Sequence, residues 1–181
     1  PVGAIDFPPS LCGTWMVSQT PFGPLVHARL QAAAENSGKL VTLVRKHAHA
    51  LAVAEGLPLV IVDGPPGIGC PAIASMTGAD RIVLVTEPSM SAICDVKRVA
   101  DLVSSFSIPI SVVVNKCDID EGLTDELIQW CEQSGYSFAG SVSFDESIVQ
   151  AHIAGCNPIG FVSERTERQI RSIWENICKT M

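Results

Sequence analysis

The segment Ile110-Ser111-Val112-Val113-Val114-Asn115-Lys116-Cys117-Asp118 decides how this 181-residue chain folds. Its apolar run is continuous rather than alternating, the pattern of a strand buried on both faces of a parallel sheet. The run ends abruptly in polar residues. In open α/β sheets, ligands bind just beyond the carboxyl ends of the strands. The Asn115 amide offers a donor and an acceptor to a purine edge, and the Lys116 stem is long enough to lie over a ring. Asp118 adds a carboxylate of the kind that reads guanine. The plain alternative is a strand end rich in turn-forming Asn and Asp.

Working outward, three more runs share this character: Leu59–Val62, Arg81–Thr86 and Tyr136–Phe144. Helical spacing lies around them. Residues 91–105 bring Ile93, Val96, Val99, Ala100 and Val103 near one face, and residues 123–133 gather Leu123, Leu127, Ile128 and Cys131. Residues 164–180 carry Ile170, Ile173, Trp174 and Ile177 at i, i+3, i+4 and i+7, an amphipathic stripe suited to packing on a sheet. Strand and helix in alternation predict a three-layer α/β fold, with a mostly parallel sheet and helices on both faces. The front is different. Residues 1–24 are rich in Pro and Gly; Trp15–Val17 and Leu25–Leu30 suit strands, and Gly38 to Ala54 suits a helix.

Composition narrows the function. The chain is 47% apolar and 17% charged, which excludes a disordered tail. A net charge of −7 argues against nucleic acid as the main partner. No apolar run reaches the ~18–20 residues of a membrane span. The acid is concentrated after residue 55; before it, Arg29, Lys39, Arg45 and Lys46 face only Asp6, Glu35 and Glu55. Seven scattered cysteines without a C-x-x-C pair suggest reduced thiols of a cytoplasmic protein, most of them buried. His47 and His49, two apart on a helix, point to different faces and suit ordinary surface or half-buried positions.

A second chemical stretch is Leu59-Val60-Ile61-Val62-Asp63-Gly64-Pro65-Pro66-Gly67-Ile68-Gly69-Cys70-Pro71. A carboxylate at the end of a parallel strand can hold Mg²⁺ through its water shell. Gly64 and Gly67 let backbone approach a phosphate, while Pro65 and Pro66 limit the loop. The phosphate-gripping pattern G-x-x-x-x-G-K-[ST] is missing. The single Gly-Lys pair, Gly38-Lys39, has Ala33 and Leu40 where Gly and Ser or Thr are required. Ser37-Gly38-Lys39 at a helix start suits contact with an anion or, more simply, a Ser N-cap with a solvated Lys. Thr86-Glu87-Pro88-Ser89-Met90-Ser91 suits either a ligand-facing loop or a turn and N-cap.

Together, residues 56–160 resemble the MinD/ParA-type P-loop ATPases. Asp63-Gly64-Pro65-Pro66-Gly67 is similar to their switch II segment, and Val83 to Pro88 to the strand that follows. Val113-Val114-Asn115-Lys116 is similar to their adenine-binding strand end. Ser143-Phe144-Asp145 resembles the family's Pro-aromatic-Asp beside the base, with Ser143 in place of Pro. Gly67–Pro71, Thr86–Ser89, Asp95–Arg98 and Glu35–Val41 resemble a narrower branch, in which a ferredoxin domain with two [4Fe–4S] clusters is inserted. Pro1-Val2-Gly3-Ala4-Ile5 resembles the tail of a ferredoxin cysteine motif.

The resemblance implies that residues 1–30 are the return segment from such an insert. Residues 31–181 would be the C-terminal part of the nucleotide-binding domain, with the Walker A strand and loop upstream. It implies ATP and Mg as ligands of the full-length protein, with clusters in the insert and none in this chain. Asp63 would be catalytic and would position Mg²⁺ or the attacking water. Gly64, Pro65, Pro66, Gly67, Asn115, Lys116, Asp118 and Phe144 would touch nucleotide. Cys70 stands at the spacing of a cluster ligand in the related nitrogenase iron protein, and reads better as a structural or redox-sensitive thiol. A homodimer and a redox protein partner are further implications, and the fragment alone would not hydrolyse ATP. Two other readings stand beside this one: a GTPase-like protein using Asn115-Lys116-Cys117-Asp118, and a non-catalytic scaffold with a degenerate site.

Overall fold

A computed structural model describes residues 13–31 and 38–179. The chain divides between Thr77 and Gly78 into two compact units.

In the first unit, β1 (Gly13–Thr20) and β2 (Gly23–Leu30) form an antiparallel hairpin. The sequence marked both strands within its Pro/Gly-rich front. The two-residue turn is locked by Thr20, whose Oγ1 donates to Gly23 O at 2.7 Å and accepts from Phe22 N at 3.1 Å. Trp15 of β1 stacks on His47 at 4.0 Å between ring centroids, so His47 is half-buried while His49 stays exposed. His47 belongs to α1 (Gly38–Glu55), the expected helix. A short helix, α2 (Cys70–Met76), follows; Pro71 at its start fits the first turn, where no N–H is needed. Arg45 ties α1 to α2, its guanidinium donating to the carbonyls of Ala74 and Thr77.

Between these helices the sequence expectation fails. Leu59–Val62 forms no strand and pairs with nothing among the described residues. All four side chains are exposed, Ile61 by 77%. An apolar run reports the burial a strand requires, but pairing also needs a neighbouring strand, and none pairs with it among the described residues.

The second unit holds β3 (Ile82–Thr86), α3 (Met90–Ser104), β4 (Ile110–Asn115), α4 (Glu121–Ser134), β5 (Ser137–Val142), α5 (Glu146–Ile153) and α6 (Glu164–Lys179). The three strands are parallel in the order β3-β4-β5, and helices cover both faces, giving the three-layer α/β architecture. β4 is central, so Ile110 to Val114 are all buried as their continuous hydrophobicity requires. Val113 faces α6 in a cluster with Ala139, Val142, Ile173 and Ile177. By alternation Val112 and Val114, both fully buried, serve the opposite face. β3 lies at the edge, and there Val83 and Val85 are exposed.

Local chemistry sets the helix limits. Ser89, Asp120 and Asp145 are N-caps whose side chains accept from Ala92 N, Leu123 N and Ser147 N. Gly135 ends α4 in the left-handed conformation, φ 71°. The β4–β5 register shifts at Val112/Val113, and there Gly140 adopts φ 142° under Ile173. The α6 stripe is realised for Ile173 and Ile177 and partly for Ile170, but Trp174 stays 45% exposed. The cysteines also depart from expectation: Cys131 is buried and Cys117 intermediate, whereas Cys70, Cys94, Cys156 and Cys178 are exposed. Cys94 and Cys178 lie on the solvent sides of α3 and α6, where a small side chain meets no packing demand.

Candidate functional site

The carboxyl ends of β3, β4 and β5 lie side by side because the strands are parallel and adjacent. This brings Glu87, the Asn115–Asp118 loop and the Ser143–Asp145 turn to one edge of the second unit. Asn115, half-buried at the end of β4, accepts from Lys116 N at 3.0 Å through Oδ1. Lys116 takes a left-handed backbone conformation, φ 54°, which turns the chain out of the sheet. Its ammonium lies 2.9 Å from Glu87 Oε2, so the polar residue after β3 anchors the loop after β4. Both partners are partly exposed, so the pair contributes more to geometry than to stability. Ser89 from the same stretch is the N-cap of α3, so that loop serves as turn and cap as well.

The neighbouring backbone is knitted across the sheet. Cys117 N donates to Val142 O at 3.0 Å, and Thr124 Oγ1 donates to Cys117 O at 2.8 Å. Asp118 does not stand free: its Oδ1 accepts from Phe144 N at 2.7 Å. Ser143 N donates to Gln169 Oε1 at 3.2 Å, and Gln169 Nε2 donates back to Ser143 Oγ at 3.3 Å. Asp145 accepts from Ser147 through Oδ1 and from Thr166 Oγ1 (2.7 Å) and Ser163 N (3.2 Å) through Oδ2. The hydroxyls of Ser147 and Thr166, with Ser163 behind them, hold its carboxyl well below the usual carboxylate range. Three successive turn residues are thus each fixed by a different partner, and the Phe144 ring is left 54% exposed.

Asp63 to Gly67 and Cys70 lie in the first unit. Asp63 is exposed, and no hydrogen bond or ion pair engages it among the described residues. Gly64 packs closely on α2: a Cβ there would meet Ser75 Oγ at 2.8 Å and would have to displace that hydroxyl. Gly67 has φ 85°, a conformation that side chains rarely adopt. Cys70 opens α2 and is exposed. A hard, unengaged carboxylate such as Asp63 fits water-mediated Mg²⁺. Among the described residues no three His, Cys, Asp or Glu side chains gather as a metal site. Ser37, the expected N-cap, and the ferredoxin-like tail at Pro1–Ile5 lie outside the described residues.

Sequence reasoning named Asn115, Lys116, Asp118 and Phe144, and the fold brings these four together. It missed Gln169, Ser163 and Thr166, which reach the turn from α6 and its approach. Their signal, polar residues at the start and on one side of an amphipathic helix, is too common to be read from sequence.

No helix among the described residues is long and apolar enough to cross a membrane. An uncharacterized Methanocaldococcus jannaschii protein, MJ0578, is 31% identical over 93 residues, 51% of this chain and 32% of that one. The cell division ATPase MinD of Pyrococcus furiosus superposes with a TM-score of 0.63 at 16% identity, covering 82% of this chain and 60% of its own. The septum site-determining protein MinD of Pyrococcus horikoshii, solved with Mg-ADP, gives 0.62 at 16% identity, covering 81% and 58%. The chain therefore spans less than two thirds of each of these proteins. Residues 37–181 match the family model described as ParA, NUBPL iron-transfer P-loop NTPase. That match takes in the parallel sheet and the polar loops at its carboxyl edge, and the chain belongs to this MinD/ParA family of P-loop NTPases.

Proposed function

We propose that this chain is the C-terminal portion of an ATP-binding and ATP-hydrolysing protein of the MinD type, whose work is coupled to iron–sulfur or electron-transfer chemistry. The observation that carries the nucleotide reading is the hydrogen-bonded edge formed by Asn115, Lys116, Asp118 and Phe144. Such a fixed, half-exposed rim at a sheet's carboxyl end suits a purine base. Mg-ADP in the P. horikoshii MinD supports ATP with Mg as the ligands.

In this reading Asn115 reads adenine, and Phe144 lies beside the base. Asp63 holds Mg²⁺ through water or orients the attacking water, and the Gly64–Gly67 loop senses the γ-phosphate. Mg²⁺, when bound, neutralises charge on the phosphates. Residues 1–30 return from a ferredoxin-like insert whose [4Fe–4S] clusters lie outside this chain, and residues 31–181 complete the nucleotide domain. The iron-transfer description of the family supports the iron–sulfur link. Cys70 is a redox-sensitive or structural thiol. The intact protein is a cytoplasmic homodimer that meets a redox protein partner. The 181 residues alone do not hydrolyse ATP, since they lack a phosphate clamp.

The test is a comparison of ATP turnover by the full-length protein and by the isolated chain. The full-length protein should hydrolyse ATP and lose at least ~10²-fold in kcat with Asp63→Ala, typical of removing a transition-state contact. Turnover by the isolated 181 residues, or an unaffected Asp63→Ala, refutes the assignment.

A further inference from the structure

We infer that the groove between α1 and α2 is a docking surface for an acidic electron-transfer protein, with Leu43 as its apolar centre and Lys39 and Lys46 as its charged rim. The inference deepens the proposed function and rests on it for the kind of partner.

Two helical stripes make the groove. Lys39, Leu43 and Lys46 stand at i, i+4 and i+7 on α1, with Thr42 beside them. Cys70, Ile73 and Ala74 of α2, with Thr77 after it, stand at i, i+3, i+4 and i+7. The helices are pinned together at two places. At Gly38 they come so close that a Cβ would meet Cys70 O at 3.1 Å, and farther along Arg45 donates to the carbonyls of Ala74 and Thr77. The groove they leave has a volume of about 680 Å³.

Its chemistry is one-sided. Among the described residues no Asp or Glu lines it, and α1 carries no carboxylate before Glu55. α2 is uncharged. The hydroxyls of Thr42 and Thr77 donate to Gly38 O and Ile73 O within their own helices, and the Arg45 guanidinium is directed to α2. Lys39 and Lys46 remain, exposed and engaged by no hydrogen bond or ion pair among the described residues. Leu43, between them, is 38% exposed. After residue 55 the chain holds 16 acids against 8 bases, so this face departs in sign from most of the protein.

The shape and charge select the occupant. Lys39, Thr42, Leu43, Lys46, Cys70 and Thr77 are all exposed, so the groove is too open for a small molecule, which a pocket buries by roughly 70–90%. Two ammonium groups ~10 Å apart along a helix neutralise too few phosphates to hold a nucleic acid. They match two carboxylates flanking an apolar side chain. A small apolar centre with a charged rim, below about 1,200 Å², is the scale of transient electron-transfer contacts. α2 is also the helix into which the Gly64–Gly67 loop runs, so a partner seated here rests beside that loop.

The experiment uses the full-length protein, a small acidic [4Fe–4S] ferredoxin as probe and a basic c-type cytochrome as control. Titration calorimetry reports binding, and alkylation with peptide mass spectrometry reports which cysteines the bound probe shields. The wild type should bind the ferredoxin and not the cytochrome, and should lose at least ~10-fold in affinity on going to about 0.5 M salt. The double variant Lys39→Glu/Lys46→Glu should bind at least ~10-fold more weakly at low salt. Leu43→Ser should lose ~4-fold, the worth of one buried CH₂ group. Both variants should keep wild-type ATP turnover. Bound ferredoxin should shield Cys70 and leave Cys178 open. Equal affinity in wild type and variants, or an unshielded Cys70, overturns the groove while a redox partner docked elsewhere still stands. No binding by any form overturns the groove and the redox partner together. Binding that the variants weaken, in a protein that hydrolyses no ATP, keeps the groove and sinks the ATPase reading. A dimer that the double variant dissociates assigns the face to a second copy and overturns the inference.

Discussion

Replacing Gly140 by Ala should be among the most damaging single-methyl additions in the second unit. Gly140 lies in β5 where the register against β4 shifts, with φ 142°. A Cβ there would come within 2.8 Å of Ile173 Cγ1, well inside the ~3.5–4.0 Å optimum for two carbons. Ile173 belongs to the cluster that fastens α6 to the sheet, so it cannot yield without disturbing Val113, Val142 and Ile177. Overpacking of this kind costs ~1–3 kcal/mol. The backbone conformation, nearly exclusive to glycine, adds ~1–3 kcal/mol. Together, ~2–6 kcal/mol is a large part of the ~5–15 kcal/mol that stabilises an ordinary domain. In urea, with a slope of about 2 kcal/mol per M, the midpoint should fall by ~1–3 M. Adding Ile173→Ala separates the two causes: the double variant should be less destabilised than the sum of the singles by about the overpacking cost, ~1–3 kcal/mol. A Gly140→Ala midpoint within ~0.3 M of wild type would show that neither the contact nor the conformation matters.

Two further outcomes follow from individual side chains. The Asp145 carboxyl is held well below the usual range by Ser147, Thr166 and Ser163. Its contribution is therefore complete above the unfolded value of ~3.9 and is lost as pH falls below it; between pH 6 and 3 the urea midpoint of Asp145→Asn should fall less steeply than that of the wild type, and parallel curves would refute this. Burial raises the Cys131 thiol to about 11, so native-state alkylation at pH 8, followed by peptide mass spectrometry, should modify Cys94, Cys156 and Cys178 well before Cys131. Equal labelling of all four would contradict its burial.

Much of the second unit was legible in the sequence because its signals are local. The unbroken apolar run of β4 reports its central place, and the i, i+3, i+7 spacing of Ile170, Ile173 and Ile177 reports the face of α6. Leu59–Val62 shows the limit of the same rule, since strand character does not supply a pairing partner. α2 and α5 were missed because seven or eight residues hold barely two turns of periodicity. At the candidate site the residue types were visible at the strand ends, but their engagement was not. Nothing around Asp118 announces that its acceptor will be spent on an amide 26 residues later, and nothing around Gln169 announces a bond to Ser143. Such contacts are set by how α6 lands on the sheet, which is a property of packing.

The outer edge of β3 has a consequence for handling the chain. No strand pairs with that side among the described residues, and on one face of the same strand Val83 and Val85 stand 39% and 66% exposed. A row of unpaired backbone N–H and C=O groups beside an exposed apolar face is a template for another extended segment. Purified alone at high concentration, these residues carry a built-in tendency to self-associate edge to edge. A charged residue at position 85, the more exposed of the two valines, is the place to suppress it.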